Sequence, residues 1–233
     1  MAAQSEEKRK PGTRAGLTKN KIVIAAFKTV ATSAADGLSI RSLANQLKVA
    51  PGSIHAHFPG GHAELTKAIA EAVLTEIAVP YKPQQSPESY LGELFFRALD
   101  RLKAKPGVAR LVVSELARDP YVSDVFAERV LATAVAFGLN GEELVWGFYL
   151  VLGMFNDVLM LESSPIATST PSSARTQIEA AIAPLPASEY PNLNEHVDLL
   201  ADDPLKRGSE GYLGVVSMRY SNSVIALLKS VTK

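Results

Sequence analysis

The chain of 233 residues lacks cysteine altogether. That absence excludes disulfide bonds and thiolate metal sites and is compatible with a reducing cytosol, so we expect a cytoplasmic protein. An excess of either charge is also missing, because 24 basic side chains balance 24 acidic ones. A protein that coats nucleic acid over its whole surface is therefore not expected. Residues 1–18 hold no apolar run of the kind that a secretory signal needs.

The basic charge that is present concentrates near the N-terminus. The stretch from Lys8 to His57 contains nine Lys or Arg and a single acidic residue, Asp36. Its first part, within residues 1–17, combines a run of charged residues with proline and glycine and cannot bury enough apolar surface to order itself. We therefore predict a flexible basic arm over 1–17. It belongs to the basic end of the chain, which is the part expected to contact the phosphates of a nucleic acid.

Helical periodicity dominates the remainder, and no convincing alternating strand pattern occurs. Four helices are predicted before Pro80: Thr18 and Ser39 cap the first two, Pro51 opens the third, and the fourth spans 63–79. Three prolines over 80–87 indicate a connection between two domains. Further helices are predicted over 89–103, 108–117, 121–137, 141–162, 175–183 and 212–231, with a loop over 163–173. The fold class is all-α.

The segment from Ser39 to Phe58 has the two short helices and tight turn of a helix-turn-helix. Its apolar residues can pack the two helices at a steep angle, which leaves the outer face of the second helix free to enter a major groove. Small residues there permit close approach, and backbone N–H groups at the helix start can meet phosphate. The candidate DNA-binding residues are Thr18, Lys19, Lys21, Arg41, Ser42, Lys48, Ala50, Pro51, Gly52, Ser53, His55 and His57.

Three motifs resemble the TetR/AcrR family of bacterial regulators: Thr18-Lys-Asn-Lys-Ile, Gly37-Leu-Ser-Ile-Arg-Ser-Leu-Ala, and Pro51-Gly-Ser-Ile-His-Ala-His-Phe-Pro. The resemblance extends from Thr18 to Ile77. It implies a three-helix helix-turn-helix domain over 18–62, a connecting helix over 63–79, and a C-terminal helical ligand-binding and dimerisation domain over 80–233. It also implies a homodimer in which the last long helices, among them 212–231, form a four-helix interface.

The sequence departs from the family pattern at two places. His55 stands where the family usually has a phosphate-binding Tyr, and Gly60-Gly61-His62 replaces a turn that commonly carries a phosphate-binding Lys. Both departures remove expected contacts, so we expect operator affinity to depend more on the arm residues from Lys8 to Arg14.

Several of these side chains have a second interpretation. His55, His57 and His62 suggest a metal site, but residues two apart on a helix point to different sides, so we expect no metal. His57 fits either a DNA contact or a hydrogen bond at the helix end. Arg41 and Lys48 are interpreted as phosphate contacts rather than as solvated surface charges, because they lie within the motif.

The stretch from Leu144 to Leu161 is apolar on all sides and nearly long enough to span a bilayer. Asn156 and Asp157 lie within it and no basic flank follows, so we predict a buried helix and no membrane span. In the family's architecture one side of this helix lines a ligand cavity and another faces the partner subunit. Its ligand-binding candidates are Trp146, Tyr149, Phe155, Asn156 and Asp157, although plain core packing explains each aromatic equally well.

Three functions follow from these patterns. The first is a ligand-responsive DNA-binding regulator, a repressor released from double-stranded operator DNA by a small, largely apolar effector. The second is a DNA-binding regulator that takes no small molecule. The third is a helical enzyme with an acid/base site built from Asp157, Glu162 or His196. No catalytic motif in the sequence supports it. We predict the first, with no enzymatic activity and no cofactor.

Overall fold

The computed structural model describes residues 16–32, 37–82, 84–103, 105–163, 171–202 and 212–231. Within these ranges every regular element is helical, which confirms the predicted fold class. The helices are α1 (Lys19–Thr32), α2 (Ile40–Leu47), α3 (Pro51–His55), α4 (Gly61–Ile77), α5 (Pro87–Leu102), α6 (Pro106–Arg118), α7 (Asp124–Ala136), α8 (Gly141–Ser163), α9 (Pro171–Ile182), α10 (Pro191–Glu195), α11 (Val197–Ala201) and α12 (Tyr212–Val231).

Helices α1 to α3 begin where the cap residues predict. The Thr18 hydroxyl accepts a hydrogen bond of 3.2 Å from the backbone N–H of Lys21. Ser39 and Ser42 form a capping box, in which each side chain accepts a hydrogen bond from the other residue's backbone N–H. Pro51 is the first residue of α3. Buried apolar residues then hold the three helices together: Ile22, Ala26, Leu43, Ala44 and Ile54.

Three predicted helix starts are wrong by two residues: those of α4, α5 and α6, the last of which begins at Pro106 rather than at residue 108. Helix α7 begins at Asp124 rather than at residue 121, because Ser123 caps it. Helix α4 begins at Gly61 rather than at residue 63; Gly61 has a φ of +63°, in the left-handed region that favours glycine, so the chain turns sharply into the helix. Helix α5 begins at Pro87, inside the predicted connection, because proline in a first helical turn loses no hydrogen bond. Ser86 caps α5 by accepting a hydrogen bond of 3.2 Å from the N–H of Ser89.

Helices α5 to α8 and α12 build a larger helical body with an aromatic centre. The ring of Phe155 on α8 lies 6.1 Å from that of Phe95 on α5 and 4.8 Å from that of Phe126 on α7, between centroids. All three side chains are buried. The apolar core continues without a break from α1 into this body, since α1 and α4 both pack against α6. The placement of the helix-turn-helix is therefore tied to the body through α4 and α6.

Helix α8 is long and apolar enough, over Gly141–Met160, to cross a membrane by length and composition. In the fold it is a packed helix that contacts α5, α6, α7 and α12 and buries Phe148, Val151 and Phe155. The prediction that it is buried on every side does not hold within the single chain. One side leaves apolar residues exposed: Val145, Trp146, Tyr149 and Met160.

Residues 171–202 form a small helical unit between α8 and α12 along the chain. Helix α9 packs against α11, and Arg175 on α9 joins the two through an ion pair with Asp198 (2.7 Å). Arg175 also pairs with Glu179 of its own helix (2.6 Å). Helix α9 begins at Pro171, so the predicted loop over 163–173 is wrong at its C-terminal end. Again proline occupies a first helical turn without losing a hydrogen bond.

Candidate nucleic-acid interface and ligand site

The outer surface of α2 and α3 is exposed and built largely from small or basic residues. Arg41 and Ser42 are exposed on the first turn of α2, and Ala50, Pro51 and Gly52 are exposed at the start of α3. The opposite side of α3 is fixed by Ile54, which is fully buried. A Cβ atom added at Gly52 would meet no heavy atom within 4 Å, so the space outside α3 is open. This geometry suits the approach of a nucleic-acid groove.

The basic residues of α1 are partly engaged inside the chain. The Lys19 ammonium lies 3.5 Å from the Glu64 carboxylate and 5.3 Å above the centre of the Phe58 ring. The Lys21 ammonium donates a hydrogen bond to the carbonyl of Gly16. Both residues nevertheless remain exposed, so their charge is available to phosphate. The arm residues 1–15 lie outside the described residues, and the predicted arm stays a prediction.

Lys48 has a backbone role that sequence reasoning missed. It ends α2 with a φ of +55°, in the left-handed region, and its N–H donates to the carbonyls of Ala44 and Asn45. The N–H of Val49 also donates to the Ala44 carbonyl, over 3.0 Å. A non-glycine residue in this conformation is disfavoured by about 1–2 kcal/mol. Such outliers cluster at functional sites, which agrees with the interpretation of Lys48 as a phosphate contact.

Replacing Lys48 by Gly is expected to stabilise the fold and weaken DNA binding together. Removing the left-handed strain raises the free energy of unfolding by about 0.5–1 kcal/mol. Losing one cation lowers the slope of log affinity against log salt by about one. Urea unfolding and a DNA-binding salt series measure the two effects. Lys48→Ala is the control, because it removes the charge and keeps the strain; a salt slope unchanged in both variants would contradict a phosphate contact.

The two departures from the family pattern lie beside each other. A Cβ built on Gly61 would be 3.7 Å from Cε1 of His55, so the imidazole covers the start of α4. His57 is half-buried just after α3, and its backbone N–H donates to the Ile54 carbonyl. Across the described part of the chain, no group of three or more His, Asp or Glu is placed to hold a metal ion.

The five ligand-binding candidates on α8 do not converge on one cavity. Trp146 and Tyr149 point outward, with 66% and 44% of their surface exposed, whereas Phe155 is buried in the aromatic centre. Asp157 is exposed and accepts a hydrogen bond of 2.8 Å from the Tyr220 hydroxyl of α12. Asn156 is partly buried. The structure thus separates these residues into an outer apolar side, an inner aromatic residue and a polar pair.

Two buried polar atoms in the helical body have no hydrogen-bond partner among the described residues: Oδ1 of Asn156 and Nε of Arg129 on α7. Buried polar atoms are nearly always paired, so each marks a place where a polar group would be stabilised. Burial raises the pKa of Tyr90 to about 12, and the nearby Arg129 opposes that rise. The Tyr90 hydroxyl stays protonated and donates 2.8 Å to the Val79 carbonyl. Sequence reasoning identified Asn156 but missed Arg129, whose partly buried position no periodicity indicates.

The fold is similar to solved structures of transcriptional regulators. The TetR family protein ActR from Streptomyces coelicolor, in complex with actinorhodin, superposes with a TM-score of 0.73 at 24% identity, covering 92% of this chain and 96% of that one. The regulator SCO7222, a TetR from Streptomyces coelicolor, gives 0.69 at 21% identity, over 92% and 99%. The structure of BioQ with its double-stranded DNA operator gives 0.51 at 26% identity, over 62% and 88%.

No family profile matches the chain, and no curated protein sequence matches it either. At these identities the likeness establishes a shared all-α fold, and it does so over nearly the whole chain. The motifs between Thr18 and Ile77 agree with that fold independently, because their resemblance to the TetR/AcrR family lies in the residues and not in the backbone.

Proposed function

We propose that this chain, whose fold is that of TetR family transcriptional regulators, is itself a cytoplasmic DNA-binding regulator. The observation that carries the proposal is the open surface of α2 and α3, where small and basic residues face outward from a buried apolar support. The similar BioQ structure contains its DNA operator, which supports double-stranded DNA as the partner. The fold neighbours are regulators, so we propose no enzymatic activity.

The finer proposal is a repressor that a small, largely apolar effector releases from its operator. Two of the similar ActR structures are complexes with (S)-DNPA or actinorhodin, which supports a small-molecule ligand for this chain, and we place its site in the helical body. In this chain the body has an aromatic centre at Phe95, Phe126 and Phe155, with unpaired polar atoms on Asn156 and Arg129. An effector of mainly apolar surface with one or two polar groups fits that chemistry.

We also propose that the regulator is a homodimer, through the exposed sides of α8 and α12. Helix α8 exposes Trp146 and Tyr149, and α12 exposes Leu227 on the side where Tyr220 bonds to Asp157 of α8. Large exposed apolar residues on long neighbouring helices are typical of a surface that a second copy covers. Two copies would place two helix-turn-helix units for successive major grooves.

Replacing Trp146 by Glu is expected to convert the dimer into a monomer at micromolar concentration. Burying a carboxylate in an apolar interface costs several kcal/mol, which raises the dimer dissociation constant by at least about 100-fold. Sedimentation velocity over a concentration series measures this. Ile24→Glu, at an exposed apolar residue of α1, is the matched control and should leave the dimer intact. A dimer that survives Trp146→Glu would place the interface elsewhere.

The regulator function is tested by titrating the purified protein against its own upstream intergenic DNA and against unrelated DNA of equal length, over a salt series. Selective binding with a steep salt dependence is the expected result. Equally weak binding to both DNAs at every salt concentration would contradict it. The same assay then detects apolar compounds that release the DNA. If no such compound binds the helical body, the result favours a regulator without a small-molecule ligand.

A further inference from the structure

Two arginines one turn apart on α5 hold the C-terminal end of α4. Arg97 donates hydrogen bonds to the carbonyls of the last two residues of α4, over 3.0 Å to Glu76 and 3.2 Å to Ile77. Arg101 forms an ion pair of 2.8 Å with the Glu76 carboxylate. The last carbonyls of a helix have no partner within the helix and carry its negative dipole end, so guanidinium donors are well suited to them. We name Arg97 and Arg101 the α5 arginine pair.

The α5 arginine pair also reaches the helix-turn-helix unit. The Arg101 guanidinium lies 4.4 Å from the centre of the Phe27 ring on α1, within the range of a cation–π contact. Phe27 is partly buried and packs against the apolar core of the unit. One side chain of the helical body thus touches both α4 and α1.

The other side of α5 faces the aromatic centre of the body. Phe95, two residues before Arg97, is fully buried, with its ring 6.1 Å from Phe155 and 6.2 Å from Tyr220. A helix keeps its backbone hydrogen bonds when it shifts, so all its side chains move together. The closely packed side chains around it then rearrange in steps, because a packed core does not deform continuously. A shift of α5 at Phe95 would therefore move Arg97 and Arg101 with it.

We propose that the α5 arginine pair is a second mechanical link, beside the packing of α1 and α4 on α6, through which the aromatic centre of the body influences the placement of the helix-turn-helix unit. The use of this link in regulation rests on the proposed function, whereas the link itself is a property of the fold. Arg97 and Arg101 are positioning residues, since they act through α4 and Phe27 and are not proposed to touch DNA. Removing the two guanidinium groups should leave the helical body and the helix-turn-helix unit folded and weaken the coupling between them.

A double-mutant cycle tests the link. Phe155→Leu perturbs the aromatic centre, and Arg97→Gln with Arg101→Gln removes the charged contacts. Arg110→Gln, an exposed arginine of α6, is the matched control. Amide hydrogen exchange of α1 and of the α4 C-terminus is measured in each background. Affinity for the upstream DNA is measured alongside.

In the otherwise native chain, Phe155→Leu is expected to change the rate of amide hydrogen exchange in α1 by at least about threefold, which is the usual size of coupling between distant sites. The same substitution should have a clearly smaller effect once the α5 arginine pair is removed, because only the contacts through α6 remain, while the Arg110→Gln background keeps the full effect. An equal change with and without the pair would overturn the proposal, and so would no change in the native chain. If Phe155→Leu fails to fold, Phe155→Met completes the same cycle.

The two readouts separate the two proposals. Exchange coupling that falls when the α5 arginine pair is removed supports the link even if the protein binds no DNA, in which case only the proposed function fails. Selective DNA binding with exchange coupling that is unchanged without the pair keeps the proposed function and overturns the link.

Discussion

Replacing Gly52 by Glu is expected to lower the affinity for the upstream DNA about 100-fold, because a carboxylate placed against phosphate costs several kcal/mol. The fold should tolerate the change. No heavy atom lies within 4 Å of the Cβ position at Gly52, the backbone there needs no glycine, and an acidic residue near a helix N-terminus is favourable. Unfolding by urea should therefore give a midpoint equal to that of the native chain or slightly higher.

Gly52→Gln is the matched control, since it adds a side chain of the same size without charge. It should lose less affinity than Gly52→Glu, and the difference between the two should shrink as salt screens the charges. Equal affinities for the Glu, Gln and native chains would show that the outer surface of α3 does not face phosphate. That result would remove the observation on which the proposed function depends.

The second large effect concerns stability. Phe155→Ala is expected to lower the free energy of unfolding by about 3–5 kcal/mol, the usual cost of removing a fully buried aromatic ring. Phe155 is completely buried and lies between Phe95 and Phe126, so its removal opens a cavity at the point where α5, α7 and α8 meet. Chemical unfolding followed by circular dichroism measures the change.

Phe96→Ala is the comparison for this experiment, since Phe96 neighbours Phe95 on α5 but is exposed. It should cost less than about 1 kcal/mol, as surface substitutions usually do. A similar loss in both variants would mean that the aromatic centre contributes no more than surface packing. Added apolar effector should restore part of the stability lost in Phe155→Ala if it fills the space left by the ring.

The local signals in the sequence predicted much of the fold. Thr18 and Ser39 cap helices because their short side chains accept hydrogen bonds from the first backbone N–H groups, and no distant residue is needed for that. Proline gives a start signal that is equally local. The prediction failed at Pro87, Pro106 and Pro171, where proline was interpreted as part of a connection or loop although proline also opens helices.

The exposure of most candidate DNA-binding residues was predictable for the same reason, and their contact with DNA stays a prediction. They belong to contiguous motifs, in which spacing along the helix decides which side chains face outward. The positions of the ligand-binding candidates in the fold were less predictable. Periodicity indicated that α8 is apolar all round, but it could not tell that Trp146 lies on an exposed side while Phe155 lies at the centre.

The sequence by itself determined the helical class, the helix-turn-helix and its basic, small-residue surface, because these depend on hydrogen bonds and periodicities within a few residues. Only the tertiary structure decided which residues meet across helices. The ion pair of Arg101 with Glu76 joins residues 25 positions apart, and its contact with Phe27 spans a still longer stretch of chain. Such contacts depend on how whole helices pack, and packing depends on every buried side chain at once.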